Sequence, residues 1–217
     1  MVLTFLVTSW KPLEAQLHPG LNTDVWSVAG NFSTTGLEGG VTYRTVGGDV
    51  LLPPNLLPRG TAFRVGAEVG FYSGGQAAGS PRPFQLDGHF LWELGELLFP
   101  RLPLGLLAST GGELYYVEEA GTTLRRWEVP LRAGLHYPLP LPADFLLVPG
   151  AALHAAWVSE QVSLPDGVLS DRGGHLHMEF GLALRHGEHR ALFANVRLGD
   201  ERFGNRRRLQ MGLRSGF

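Results

Sequence analysis

His175, His177 and Glu179 are the residues of this 217-residue chain whose types and spacing best suit chemistry. At i, i+2 and i+4 of an extended strand they share one face. Two imidazoles and a carboxylate are ligands for a divalent metal. Along one strand, however, neighbouring members of the trio stand about 6–7 Å apart, so a closed site needs a further ligand from an adjacent strand. Packing of polar side chains inside a closed architecture accounts for the same residues, and on that reading neither a metal nor a cofactor is expected. A second group, His154, Glu160, Asp166 and Asp171, surrounds a long connection, but no nucleophile, base and orienting residue can be ordered within it. The sequence has no phosphate-cradling G-K-[ST], no G-x-S-x-G and no H-E-x-x-H, so no enzyme is expected.

Composition narrows the class further. The absence of cysteine removes disulfides, thiolate metal sites and cysteine nucleophiles. Formal charge is −2, and the 18 basic residues, of which only Lys11 is a lysine, are scattered, so nucleic acid is not a partner. The apolar run "FLLVPGAALHAAWV" at 145–158 contains Pro149 and His154 and is too short for a spanning helix, which needs about 20 residues. At the start, "MVLTFLVTSW" has an apolar core without a basic flank, and "LEAQ" at 13–16 is a weak cleavage site. Residues 1–16 therefore read either as a shortened export signal or as an N-terminal arm, and 17–217 as one domain.

The elements that must position these side chains are strands. Period two recurs throughout and period 3.6 is not sustained. Phe63, Val65, Ala67, Val69 and Phe71 oppose Arg64, Gly66, Glu68 and Gly70. Phe84, Leu86, Phe90 and Trp92 oppose Gln85, Asp87, His89 and Glu93, and Trp127, Val129, Leu131 and Leu135 oppose Arg126, Glu128, Arg132 and His136. Leu176, Met178, Phe180 and Leu182 oppose His175, His177, Glu179 and Arg185. With weaker segments near 24–32, 36–46, 103–118, 144–158, 189–199 and 206–217, about ten strands are expected; eight or twelve would also fit. The connections at 47–60 and 160–174 are read as long loops.

Amphipathic strands with no helix to cover them require a sandwich or a closed barrel. Alternation alone does not tell which face is inside. The apolar face is bulky, whereas the polar face interleaves glycine with long charged residues, as a crowded lumen would require. Its charges balance in sign, so Arg64, Glu68, Asp87, Glu93, Arg126, Glu128, Arg132, Glu179 and Arg185 are expected to pair as a lumen network; Arg44 is counted on the same face. Aromatic residues such as Trp26, Phe71, Phe84, Trp127, Tyr137 and Trp157 fall near strand ends, where interfacial girdles lie.

The closing "QMGLRSGF" resembles the C-terminal β-signal of bacterial outer-membrane barrels, with Gln210, Gly212 and Phe217 at matching positions and Ser215 departing from the aromatic or aliphatic residue expected there. The chain thus resembles small outer-membrane β-barrels of the porin-like, OmpA- or OmpW-like kind. The resemblance implies an all-β, closed antiparallel transmembrane barrel in the bacterial outer membrane. Outer-membrane lipid and the barrel-assembly machinery are the implied partners, and a structural, loop-interaction or narrow solute-path role the implied function. Two rivals stay open: a soluble lipocalin-like barrel binding an apolar ligand, with the faces reversed, and an outer-membrane hydrolase.

Overall fold

The structure, a computed structural model, describes residues 26–36, 42–52, 60–73, 83–98, 104–119, 122–187, 189–199 and 207–217. Residues 1–16, read above as signal or arm, lie outside the described residues. The strands are β1 (Ser27–Gly36), β2 (Thr42–Leu52), β3 (Thr61–Ser73), β4 (Phe84–Glu93), β5 (Gly105–Glu119) and β6 (Thr122–His136), then β7 (Leu139–Pro140), β8 (Phe145–Leu164), β9 (Gly167–His186), β10 (Arg190–Gly199) and β11 (Arg207–Gly216). One turn of helix, α1 (Gly95–Leu98), lies between β4 and β5.

Each long strand pairs antiparallel with the next, β6 pairs directly with β8, and β11 returns to β1 from Ser27↔Gly216 to Thr35↔Arg208. The two-residue β7 is only a rung against β8. The result is a closed barrel of ten strands, which leaves no sheet edge along the length that all of them share.

Two stretches read as loops are strand. Gly47 and Gly48 lie inside β2, not in a turn, and the strand runs on to Leu52. The glycines serve packing: a Cβ on Gly47 would strike the backbone and side chain of Glu68 on β3. The connection read as 47–60 therefore shrinks to 53–60. The stretch at 160–174 is likewise a ribbon, in which β8 and β9 stay paired up to Leu164↔Gly167 around a two-residue turn at Pro165 and Asp166. Both faces of this ribbon are polar or exposed, so hydropathy carries no alternation there.

The apolar residues point outward. On β6 the band runs from Trp127 to Tyr137 through Val129, Leu131 and Leu135, and on β9 from Leu176 to Leu184, all exposed. Eleven residues of tilted strand are what a bilayer core requires, about 9–11. Beyond Trp157 the outward positions of β8 become Ser159, Gln161 and Ser163, so the ribbon stands clear of the apolar band. Trp26, Trp92, Tyr137 and Phe217 rim the end where β1 begins and β11 ends, and Phe71, Phe84, Trp127 and Trp157 rim the other, giving the two aromatic girdles of a membrane barrel. Arg44 points outward beyond Val46 and is not a lumen residue, contrary to expectation: its even position in β2 places it opposite Thr45 and Asp49.

Candidate functional site

The lumen is built in layers. At the strand ends nearest the termini, Leu51, Ala62, Leu91 and Leu107 form one buried apolar cluster, and Ala29, Val148, Ala183 and Phe193 form another. Together they make an apolar floor, which the charge pattern did not announce. Beside it, a cavity of about 10 Å³ next to His136, Gly181 and Asn195 has room for roughly one water.

From beside these clusters, where Asp49 and Arg214 flank Ala29 in register, a chain of ion pairs crosses the barrel wall from β11 to β9. Arg214 donates to Ser27 Oγ at 2.8 Å and to Asp49 Oδ1. Asp49 Oδ1 also lies 3.7 Å from Arg64 Nε, and Arg64 Nη2 reaches Asp87 Oδ2 at 2.9 Å. His89 Nε2 stands 3.4 Å from both Asp87 Oδ2 and Glu113 Oε1. Arg132 donates through Nη2 to Glu113 at 2.6 Å and through Nε to His154 Nδ1 at 3.2 Å. Glu128 Oε1 then lies 3.3 Å from His154 Nε2 and 3.2 Å from His175 Nε2, while its Oε2 accepts from Arg126 at 3.1 Å. A separate group joins Ser33, Thr45, Glu68 and Arg208: Thr45 Oγ1 lies 2.7 Å from Ser33 Oγ and donates to Glu68 at 2.9 Å, and Arg208 donates to the same carboxylate.

Almost all of these groups are buried, Asp49 at 6% exposure and His154 at 0%. Charges held this far from water persist only when paired, because desolvation costs several kcal/mol per ion. Apolar residues therefore face out and paired charges face in, the reverse of a soluble protein. The fold is that of an outer-membrane β-barrel. A lipocalin-like barrel would need an apolar interior and a polar exterior, and this chain has neither.

No protein-family model matches the chain, and no curated protein matches it. Among solved structures it is similar to the translocator domain of autotransporter NalP from Neisseria meningitidis, at 12% identity and a TM-score of 0.45 over 92% of this chain and 91% of that one. It is also similar to an outer membrane channel from Pseudomonas putida F1, at 9% and 0.44 over 94% and 99% of the two chains. The beta domain of the Bordetella autotransporter Brka gives 10% and 0.41 over 90% and 100%. At such identities and TM-scores the likeness adds nothing to what the inverted faces establish.

Within the outer-membrane barrel the residues singled out from sequence are distributed as follows. Arg64, Asp87, Arg126, Glu128 and Arg132 lie on the ion-pair chain. Glu68 belongs to the separate Arg208 group, and Glu179 lies 3.7 Å from Arg197. Arg185 is buried near the floor, two residues beyond Ala183. Glu93 accepts a hydrogen bond from Gly95 N at 3.0 Å where α1 begins. His175 and His177 do come together, but with His154 of β8 and not with Glu179. Asp49 and His154 were missed as lumen residues. Asp49 sat in the misread loop, and His154 follows the small inward residues Gly150 and Ala152, which give alternation little contrast.

Glycines make room for this layer. A Cβ on Gly66 would meet the Asp87 carboxylate, one on Gly105 the His136 ring, and one on Gly212 the Phe193 ring. Gly212 of the terminal motif thus has a packing role: Phe193 lies across it inside the barrel, next to the β1–β11 closure. At that closure Phe217 N donates to Trp26 O at 2.8 Å, and the Phe217 ring stands exposed on the outer face.

Proposed function

We propose that this small outer-membrane barrel is a non-enzymatic scaffold closed to solutes, whose working surface is the β8–β9 ribbon on the side opposite the termini. The observation that carries the reading is the lumen itself, where a cross-linked belt of buried charge adjoins two buried apolar clusters. Barrels of about eight to ten strands have interiors filled mostly by side chains, in keeping with closure. A hydrolase would need a nucleophile beside its base; Glu160 and Asp171 sit in the ribbon with no such group assigned to them.

Planar-bilayer recording tests the closure. The full-length barrel is expected to add no conductance steps above the bare bilayer, whereas trimming the floor with Leu51→Ala, Leu91→Ala, Leu107→Ala and Phe193→Ala together should produce steps. Stable ohmic conductance from the unaltered protein would overturn the reading.

The terminal motif is assigned to recognition by the barrel-assembly machinery, with Gln210, Gly212 and Phe217 as its elements. Removing Phe217 is expected to cut membrane-inserted yield in cells several-fold. Refolding into detergent should change little, since one partly wetted Phe contributes at most about 1.5–3 kcal/mol. Gly212→Val should depress both yields, because its side chain would displace Phe193. Normal insertion without Phe217 would leave Gly212 with a packing role alone and refute the signal.

A further inference from the structure

Three imidazoles are gathered at one point of the lumen wall, within the lipid-facing band and on the ribbon side of the floor. His154 on β8 and His177 on β9 are register partners, with ring centroids 3.9 Å apart. His175 stacks at 5.3 Å from His177 and lies 5.8 Å from His154. One nitrogen from each ring lies within 4.8 Å of the others, and all three side chains are buried. From β6, Glu128 Oε1 reaches to 3.3 Å from His154 Nε2 and 3.2 Å from His175 Nε2.

Those two separations match a coordination shell. A tetrahedral ion with ligand bonds of about 2.0–2.1 Å sets its ligand atoms roughly 3.3–3.4 Å apart. His177 would supply the fourth ligand, one of its nitrogens lying within 4.8 Å of those of the other two rings. Among the described residues, both nitrogens of His177 have no hydrogen-bond partner, although buried ring nitrogens ordinarily find one. We infer that the lumen wall holds a divalent metal ion of the zinc class, bound by imidazole nitrogens of His154, His175 and His177 and by the carboxylate of Glu128.

The surrounding groups define how the site loads. Arg132 Nε now donates to His154 Nδ1, which places that ring's proton on Nε2, facing Glu128. Binding through Nε2 moves the proton to Nδ1, so Arg132 gives up this contact and keeps its shorter one to Glu113 at 2.6 Å. Glu179, the carboxylate nearest in sequence, lies beside Arg197, which leaves Glu128 as the oxygen ligand. Toward the ribbon, Glu160 and Asp171 are register partners on the same inward face as the histidines. The site stands whether or not the lumen conducts.

Equilibrium dialysis of the full chain folded in detergent against Zn²⁺, with metal counted by mass spectrometry, tests the inference. One tightly held Zn²⁺ per folded chain is expected, with affinity lowered about 100-fold in His154→Ala and in His177→Ala, since each removes a ligand. His136→Ala, which alters a lumen histidine outside the cluster, should bind as the unaltered chain does. Folding of each variant is checked by heat-modifiable gel mobility. Because a variant may unfold, Co²⁺ added to the unaltered barrel supplies a second readout, and the intense visible bands of tetrahedral cobalt are expected. Absence of those bands overturns the site, as does unchanged Zn²⁺ affinity in folded His177→Ala. Loss of binding in the His186→Ala, His189→Ala double variant would also overturn it, by placing the ion on the exposed rim.

Discussion

Asp49→Asn is expected to destabilise the folded barrel by about 3–5 kcal/mol, the cost of leaving a buried charge without its partner. The residue bridges two arginines. Arg214 donates to its Oδ1, and Arg64 Nε lies 3.7 Å from the same atom. Arg64 retains Asp87 at 2.9 Å when Asp49 is neutralised, but Arg214 is left with the Ser27 hydroxyl. The loss should therefore come chiefly from Arg214, and adding Arg214→Met to the Asn variant should recover a substantial part of it. Reversible urea unfolding in lipid vesicles measures both. A deficit under about 1 kcal/mol for the single variant would mean that the arginine finds water or another anion, and the belt would not be the closed structure described.

Leu131→Arg is the companion result, on the opposite face. Leu131 is 62% exposed at the middle of the Trp127–Tyr137 run of β6, where an arginine costs about 2–4 kcal/mol in a transmembrane barrel. The same side chain at Gln161, also outward-facing but in the ribbon beyond Trp157, should change stability by no more than about 0.5 kcal/mol, as at an ordinary wet surface. The two variants differ only in depth. Equal losses would place the ribbon in lipid, and equal tolerance would remove the bilayer from the apolar band.

Much of this architecture was legible in the sequence because a strand that separates lipid from a packed lumen must alternate at every residue. Phe63 to Phe71 and Trp127 to Tyr137 do so without a break. Legibility failed where a strand leaves that boundary. In the ribbon both faces meet water, so Ser159 to Gly174 carry no contrast and look like loop. In β2, Gly47 and Gly48 look like a turn, although Gly47 is there to admit Glu68. The floor was hidden for a different reason: Leu51 and Leu107 are apolar on the inward face, and alternation records polarity without telling depth. The histidine site was half legible. Its two β9 members share a face by spacing alone, but strand register brings His154 beside them, and no single-strand pattern contains register.

The height of the ribbon has a consequence of its own. β9 pairs with β10 only from His186 back to His177, so from Gly167 to Leu176 its second side has no strand partner among the described residues. Ten residues at about 3.4 Å each make roughly 34 Å of main chain whose amide and carbonyl groups on that flank meet no strand among the described residues. Such a flank templates another strand, and membranes crowded with barrels offer many. The sequence at this place, "SDRGG", works against that outcome: Asp171 and Arg172 put charge on the flank, and two glycines deny an incoming strand the side chains it would pack against. Defence of this flank against strand addition thus falls to a five-residue stretch well away from the apolar band.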